Sequence, residues 1–287
     1  MQITITAGKG GTGKTTVATN LAISLKDSYP VQLIDCDVEE PDAHIFVDSE
    51  YDVQEPVYMK RPVIDQEKCT NCGKCADLCN YNALAVVPDE VMVFPELCHG
   101  CGLCSLACPV DAITERDHKI GVLDIGRAEG YEFLQGTLEV GDPIAPPVIE
   151  KLKTHIKENK IAILDSPPGT ACPAVEAIWG SDFAVLVTEP TPFGLHDLKL
   201  TVEICEKMEI PYGVVINRDG IGDEGVDDYC EEEGIPILLR IPDSRKVAEA
   251  YSKGIPFVSE FPDRKSHFLD LFEKIQDIVK EGEKERI

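Results

Sequence analysis

The sequence predicts an α/β fold, a doubly wound and mostly parallel sheet that carries a smaller α+β insertion. Three observations support this prediction. Short apolar runs alternate with helical stretches, a glycine-rich loop joins the first run to the first helix, and eight of the 12 cysteines lie between Cys69 and Cys108. Alternating strands and helices are typical of parallel sheets covered on both faces, and a local concentration of cysteines indicates a separate module.

The strand and helix predictions follow from the spacing of apolar residues. The expected strands are Ile3–Thr6, Val31–Ile34, Lys160–Leu164, Phe183–Val187 and Tyr212–Ile216. Their apolar runs are continuous, as in parallel strands that are buried on both faces. Helical spacing predicts a helix over Thr15–Leu25 and a last one over Lys265–Ile287. The polar face of the last helix is not notably basic, which favours packing on the sheet over binding to a membrane surface.

The composition excludes several classes of partner. The 287 residues include 27 Lys and Arg against 52 Asp and Glu, a net charge of −25. Nucleic acids and anionic membranes are bound by clustered basic residues, so neither partner is expected. No apolar run is long enough to span a bilayer, and the N-terminus lacks the features of a signal peptide. We therefore expect a cytoplasmic protein with reduced thiols.

A phosphate-binding loop is predicted between the first strand and the first helix. Residues 8–15, GKGGTGKT, match the pattern G-x-x-x-x-G-K-[ST]. Glycines allow the backbone N–H groups to converge on phosphate oxygens, and the following helix directs its positive end at the same point. Lys14 is expected to reach the β- and γ-phosphates of ATP, and Thr15 to bind Mg²⁺. The predicted phosphate-binding residues are Gly10, Gly11, Thr12, Gly13, Lys14, Thr15 and Thr16.

Lys9 is not required by this pattern, and the run KGGTGKTT resembles the deviant Walker A loop of the MinD/ParA family of P-loop ATPases. Residues 33–37, LIDCD, are similar to the family's switch I, and residues 163–170, ILDSPPGT, to its Walker B motif and switch II. Residues 188–191 and 215–218 are similar to its later strand ends. The resemblance covers roughly residues 1–61 and 116–287. We expect these to form one ATPase domain, interrupted after its second strand by residues 62–115.

The resemblance implies roles for individual side chains. Asp165 would hold Mg²⁺ with Asp35 supporting the metal shell, and Asp37 would orient or deprotonate the attacking water. Asn217 would hydrogen-bond to the adenine. Lys9 would reach across an ATP-bound dimer to the phosphates of the other protomer and neutralise the charge that develops there. A homodimer, or a heterodimer with a related ATPase, is therefore expected.

Plainer roles remain open for some of these residues. Either Asp35 or Asp37 alone could cap the next element. Asn217 could be an ordinary turn residue, and Lys9 could be a solvated lysine of the loop. The charge and position of each residue are compatible with both interpretations.

The cysteines of residues 62–115 form two runs with the spacing C-x₂-C-x₂-C-x₃-C, 29 residues apart. This repeat is typical of bacterial ferredoxins with two [4Fe–4S] clusters, in which the fourth cysteine of each run serves the other cluster. The predicted ligands are Cys69, Cys72, Cys75 and Cys108 for cluster 1, and Cys98, Cys101, Cys104 and Cys79 for cluster 2.

Zinc is the alternative metal, but its sites usually separate their C-x₂-C pairs by a dozen or more residues. Pro109 follows the second run where Asn80 follows the first, so a looser first half is expected. A module this short builds little core, and bound clusters would then supply much of its folding energy.

Four cysteines lie outside this module. Cys36, between two aspartates, and Cys172, just after switch II, could be transient ligands or redox sensors. A small buried hydrophobe is nevertheless the ordinary role of a free cysteine. Cys205 is expected in the core of a helix, and Cys230 lies in an acidic run with no predicted role.

Three functions are compatible with these features. The first is an ATP-gated electron carrier, the second a carrier that assembles clusters or metal sites in other proteins, as the Mrp type does. The third is a positioning or scaffold ATPase of the MinD/ParA kind with structural clusters. The negative charge predicts that a redox or assembly partner presents a basic docking face.

Overall fold

The computed structural model of the protein describes residues 1–285, and its main element is a nine-stranded sheet. The strands are β1 (Gln2–Thr6), β2 (Val31–Asp35), β3 (Ser49–Ile64), β4 (Leu84–Val87), β5 (Glu90–Val93), β6 (Ile113–Ala128), β7 (Tyr131–Leu138), β8 (Ile161–Asp165), β9 (Phe183–Thr188), β10 (Tyr212–Asp219) and β11 (Ile237–Pro242). Their order in the sheet is β11-β10-β9-β1-β8-β2-β7-β6-β3, and β4 and β5 form a separate hairpin.

Helices cover both faces of the sheet. They are α1 (Lys14–Leu25), α2 (Lys74–Asp77), α3 (Leu103–Leu106), α4 (Pro146–Lys153), α5 (Cys172–Ile178), α6 (Pro192–Lys207), α7 (Gly225–Glu232), α8 (Arg245–Tyr251), α9 (Phe257–Glu260) and α10 (Lys265–Glu285). Apolar residues of α1, α9 and α10 pack on one face, and those of α4 to α7 on the other. Neighbouring residues of one strand serve opposite faces, as Leu33 and Ile34 do. The predicted doubly wound, mostly parallel fold is confirmed.

The five predicted strands agree closely with β1, β2, β8, β9 and β10, but the sequence analysis missed β3, β6, β7 and β11 of the main sheet and the β4–β5 hairpin. β7 pairs in parallel with β2, whereas β6 pairs antiparallel with both β7 and β3. β3 and β6, which we call the ribbon, run alongside each other from Ser49 opposite Ala128 to Ile64 opposite Ile113. The two predicted edges of the cysteine module, Pro62 and Glu115, are paired across the ribbon.

The ribbon projects beyond the sheet on the side of the strands' carboxyl ends. β6 pairs with β7 only from Gly121, which lies opposite Leu138 at the end of β7. Residues 113–120 therefore extend past the sheet by about 25 Å, at about 3.3 Å per residue. The register shifts between Val57 and Tyr58, where the ribbon leaves the sheet. The cysteine module is thus held above the edge that also carries the phosphate-binding loop.

The last helix, α10, packs on the sheet, as the sequence predicts. Its buried residues are Phe268, Leu271, Phe272 and Ile275. The prediction extended this helix to Ile287, but residues 286 and 287 lie outside the described part of the chain. Within residues 1–285, no helix combines the length and the apolarity that a membrane crossing requires.

Candidate nucleotide site and cysteine cavities

The phosphate-binding loop connects β1 to α1 at the carboxyl end of the sheet. Gly11 and Gly13 have φ angles of 75° and 97°, in the left-handed region that favours glycine. A Cβ atom at Gly13 would also lie 2.3 Å from Nδ2 of Asn217. α1 begins at Lys14, whose side chain is buried, so its first N–H groups and this ammonium group face the same space. The sequence therefore builds an anion-binding loop here.

Asn217, at the end of β10, supports this loop directly. Its Nδ2 donates a hydrogen bond to the carbonyl oxygen of Thr12 at 2.7 Å, and its Oδ1 accepts one from the backbone N–H of Arg218 at 2.9 Å. Sequence analysis gave it an adenine contact. In the structure both ends of the amide hold the protein's own backbone, which fixes the position of the loop.

Lys9 is held by an acidic residue of its own chain. Its Nζ lies 3.1 Å from Oε2 of Glu189, and Nη1 of Arg218 lies 2.8 Å from Oε1 of the same carboxylate. The Glu189 side chain is only 8% exposed. Two cations therefore share one nearly buried carboxylate at the rim of the loop.

Asp165, at the end of β8, has the properties of a cation ligand. It is 1% exposed, and neither carboxylate oxygen has a partner with hydrogen-bond geometry among the described residues. Burial raises the pKa of Asp165 to about 7, although the nearby Thr15 hydroxyl and Lys14 act to lower it. A buried carboxylate without a partner is costly unless a cation binds it. Together with the Thr15 hydroxyl, Asp165 therefore fits a Mg²⁺ site.

Asp35 and Asp37 occupy different positions. Asp35 is fully buried and accepts backbone N–H groups from Asp37 at 3.1 Å, Asp42 at 3.1 Å and Ala43 at 3.0 Å. It therefore shapes the switch I loop from inside, and burial raises its pKa well above the usual range. Asp37 lines the open cavity, and burial raises its pKa to about 6 against the opposing effect of Lys14. Of the two, only Asp37 is placed where a water molecule beside the phosphates could reach it.

A cavity of about 1350 Å³, including its open mouth, runs from the phosphate-binding loop toward α8 and α9. The sequence analysis missed the residues at its far end, which include Phe46, Asp243 and Tyr251. Phe46 and Tyr251 are in ring contact, with centroids 4.9 Å apart. It also missed Asp42, which lines the cavity and raises the pKa of Asp37 and Asp165. These residues follow irregular loops or short helices, where no spacing pattern marks them.

The cysteine module repeats its backbone structure every 29 residues. The left-handed residues of the first half, Asn71, Gly73 and Asn82, recur as Gly100, Gly102 and Asp111. The short helices α2 and α3 are offset by the same interval. The first half follows the same turns as the second although Asn80 replaces proline there. The expected looser geometry of the first half is thus not seen in the backbone.

Two cavities in this module are each lined by four cysteines. One is lined by Cys69, Cys72, Cys75 and Cys108, and the other by Cys79, Cys98, Cys101 and Cys104, and both open to solvent. In each half the fourth cysteine sulfur accepts a backbone N–H, Ala83 to Cys79 at 3.3 Å and Ala112 to Cys108 at 3.2 Å. The structure therefore brings together the same two sets of four that the sequence pattern predicts.

The two sets do not converge on single points. Within residues 1–285, no three His, Cys, Asp or Glu side chains are grouped so that they could hold one metal ion. The thiols instead stand around the walls of cavities, and all of the cysteines are free of disulfides. A multinuclear cluster separates its thiolates by its own width, so this arrangement fits a cluster better than a single zinc ion.

Comparison with known proteins agrees with the geometry of the phosphate-binding loop. Residues 3–257 match the family described as the CobQ/CobB/MinD/ParA nucleotide binding domain. The chain belongs to this family. An uncharacterized protein of Methanocaldococcus jannaschii is 31% identical over 262 residues, which cover 90% of this chain and 91% of that protein. An iron–sulfur cluster carrier protein of Pyrococcus abyssi is 26% identical over 298 residues, 98% of this chain and 87% of its own.

Solved structures show the same fold. The cell division ATPase MinD of Pyrococcus furiosus aligns with a TM-score of 0.60 and 22% identity, covering 96% of this chain and 98% of that one. MinD of Pyrococcus horikoshii, solved in complex with Mg-ADP, aligns with a TM-score of 0.58 and 22% identity over 96% and 95% of the two chains. This chain therefore shares its fold with the solved MinD structures.

The remaining cysteines of the chain differ in exposure. Cys36, Cys205 and Cys230 are buried, and burial raises the pKa of each thiol. Cys172, at the start of α5, is exposed. Burial with a raised pKa is the ordinary state of a core cysteine, so three of the four behave as small hydrophobes.

Proposed function

We propose that this chain is an iron–sulfur ATPase that couples nucleotide-driven changes in a dimer to electron transfer through two [4Fe–4S] clusters. The observation that carries this proposal is the placement of two four-cysteine cavities on a ribbon that rises from the same sheet edge as the phosphate-binding loop. A movement of the switch loops at this edge acts close to the root of the ribbon. The discontinuous domain division, 1–61 with 116–287 around 62–115, is part of this proposal.

The position of each residue in the nucleotide site determines its proposed role. Lys14 and the N-terminus of α1 would bind the phosphates, Thr15 and Asp165 would hold Mg²⁺, and Mg²⁺ would neutralise phosphate charge. Asp37, on the open side of the cavity, would orient the attacking water. Asp35 would position the switch I loop that carries it.

Lys9 would act on the second protomer, since in its own chain it is directed to Glu189 rather than to the loop. The arrangement is compatible with a homodimer or with a heterodimer formed with a related ATPase. Partners that give or take electrons would meet an acidic molecule of net charge −25, so they should carry a basic docking face. A cytoplasmic location would keep the cysteine thiols reduced and free to bind the clusters.

Each bound cluster supplies one-electron redox chemistry at the cysteine module. The eight thiols and the N–H donors of Ala83 and Ala112 would hold both clusters permanently, which suits an electron carrier better than a donor of clusters. The module is small, so its fold depends on these bonds.

The test is a redox titration of anaerobically purified protein, followed by electron paramagnetic resonance. Two [4Fe–4S] clusters per chain are expected, and their reduction potentials should shift when a non-hydrolysable ATP analogue and Mg²⁺ are added. The Lys14→Ala variant provides the control without nucleotide. Potentials that are the same with and without the analogue in the wild-type protein would contradict the coupling.

A second function, delivery of clusters to other proteins, is favoured by the names of several relatives. Relatives that match 98% of this chain, from Pyrococcus abyssi and Pyrococcus horikoshii, are named iron–sulfur cluster carrier proteins. A ⁵⁵Fe-loaded sample incubated with an apo-acceptor, with and without ATP, distinguishes the two functions. Full retention of ⁵⁵Fe supports electron transfer, whereas ATP-dependent transfer supports the carrier.

A further inference from the structure

Helix α4 is attached to the ribbon at two levels. In the middle of β3, Oε1 of Glu55 lies 2.7 Å from Nζ of Lys151 on α4. At the point where the ribbon leaves the sheet, Nη2 of Arg61 donates to Asp142, in the loop before α4, at 2.5 Å. The Arg61 and Asp142 side chains are 11% and 5% exposed, so this ion pair is shielded from water. A displacement of the ribbon must therefore move α4 or break a charged contact.

The packing of α4 on the sheet leaves no room for sliding. A Cβ atom at Gly136 of β7 would lie 2.7 Å from Cγ1 of Val38 and 2.8 Å from Cδ1 of Leu152. A Cβ atom at Gly121 of β6 would lie 3.0 Å from Cγ2 of Val148. Val148 and Leu152 belong to α4, which therefore rests directly on the backbone of the two strands. Interiors packed at this density transmit displacement rather than absorb it.

The last turn of α4, which carries Lys151, also holds the helix that follows switch II. Nζ of Lys153 donates to the carbonyl oxygens of Glu176 and Trp179 at the C-terminal end of α5, both at 2.6 Å. A cation at this end of a helix satisfies free carbonyl groups and interacts favourably with the helix dipole. Burial lowers the pKa of Lys153, so the ammonium group has been partly removed from water. The two carbonyl contacts offset this loss of hydration.

We propose that Lys153 is a positioning residue that connects switch II to the cysteine module through α4. Nucleotide binding moves switch II and with it α5, Lys153 transfers the movement to α4, and Glu55 and Arg61 transfer it to the ribbon. The connection is reciprocal, because a coupling free energy acts equally in both directions. This inference rests on the proposed function, in that it requires the state of the clusters and the state of the nucleotide to depend on each other.

The experiment measures nucleotide affinity in two redox states of the cluster-loaded protein. The dissociation constant for a fluorescent, non-hydrolysable ATP analogue is determined anaerobically, before and after reduction with dithionite. In the wild-type protein, the dissociation constants of the two redox states are expected to differ by at least about fivefold, the lower range of allosteric coupling. The ratio of these two constants is the quantity compared among the variants. In Lys153→Met the ratio should fall to about one, while affinity in the oxidised state stays near the wild-type value, because Lys153 does not line the nucleotide cavity.

Three further variants make the result specific. Lys153→Arg retains a cation and should retain most of the ratio. Lys157→Met is the matched control: Lys157 pairs with Glu132, which Lys160 also binds at 2.9 Å, so its ratio should equal the wild-type one. Glu55→Gln interrupts the contact between α4 and the ribbon and should lower the ratio as Lys153→Met does. It also replaces that variant if Lys153→Met proves unstable.

A second readout follows α5, the helix after switch II. Hydrogen exchange of residues 172–179 should change on reduction in the wild-type protein and not in Lys153→Met. If the wild-type ratio is large and the Lys153→Met and Glu55→Gln variants keep it, the route through α4 is wrong while the proposed function stands. If the wild-type protein itself shows no ratio, the proposed coupling fails and this inference fails with it.

Discussion

Nζ of Lys9 and Oε2 of Glu189 lie 3.1 Å apart, so a lysine expected to serve a second protomer is paired within its own chain. Glu189 also binds Arg218, at 2.8 Å, and its side chain is nearly buried. In this state both cations are neutralised at the rim of the nucleotide cavity. Dimer formation through Lys9 must first break this ion pair.

We therefore predict that Glu189→Gln promotes ATP-dependent dimer formation. The ion pair is partly open to water on the Lys9 side, where an ion pair contributes at most about 1 kcal/mol. Removing it should tighten the dimer by about fivefold, measured by analytical ultracentrifugation with a non-hydrolysable ATP analogue. Glu203→Gln, which removes an exposed pair with Lys207 on α6, is the control and should have no effect. An unchanged dimer constant in Glu189→Gln would contradict a role for this ion pair.

Lys14→Ala should abolish tight nucleotide binding while the protein keeps its cluster absorbance. The buried ammonium group is expected to make charge-assisted hydrogen bonds to phosphate, and losing one costs about 1.5–3 kcal/mol, or roughly 10- to 100-fold in affinity. Isothermal titration with ATP and Mg²⁺ measures the change. Lys26→Ala, just after the end of the same helix, removes a contact with Glu129 far from the phosphates and should bind normally. Tight ATP binding by Lys14→Ala would show that the loop assignment is wrong.

The assignment of the fourth ligands can be tested by a single substitution. Cys108 lies after Cys104 in sequence but lines the cavity formed by Cys69, Cys72 and Cys75. Cys108→Ala should therefore damage cluster 1 and leave cluster 2 intact. Mössbauer spectra should show about half of the iron in normal [4Fe–4S] form. Cys172→Ser, which changes an exposed cysteine outside the module, should leave both clusters unchanged.

Loss of both clusters should unfold residues 62–115 and leave the nucleotide site folded. The core of the module is small, with Cys75, Leu84, Val91 and Ile113 as its buried residues, so cluster bonds must supply much of its stability. Limited proteolysis of chelator-treated protein should cut within this segment, while ATP still protects the remainder. Resistance of the apo-module to proteolysis would contradict this dependence.

The sequence predicted those parts of the molecule that have a periodic or spaced pattern. Continuous apolar runs located β1, β2, β8, β9 and β10, and cysteine spacing predicted which four cysteines line each of the two cavities. The ribbon escaped prediction because only three of the 16 residues of β3 are buried and it contains Pro56 and Pro62, which depart from the pattern of a buried strand. Its prolines are tolerated because β3 is the edge of the sheet.

Site residues set by tertiary contacts were predicted less well. The two-aspartate pattern of switch I did not distinguish Asp35, which accepts three backbone N–H groups, from Asp37, which faces the cavity. The sequence also gave no sign that Glu189 would hold Lys9, since the two residues are far apart in the chain. Such roles depend on which loops meet at the carboxyl edge of the sheet, and no local pattern encodes that meeting.

Asp165→Asn should stabilise the nucleotide-free protein while removing its response to Mg²⁺. Burial raises the pKa of Asp165 from 3.8 to about 7, so the folded state binds a proton that the unfolded state has released. Stability is therefore lost as pH rises from about 4 to about 7, on the order of 4 kcal/mol in total. At pH 8, where the loss is complete, Asn should raise the unfolding free energy by this amount, and by less at pH 5.5. Urea unfolding at the two pH values measures this gain in unfolding free energy, and Asp89→Asn, at an exposed position, is the control. Equal gains in unfolding free energy at pH 5.5 and pH 8 would contradict the ionisation argument.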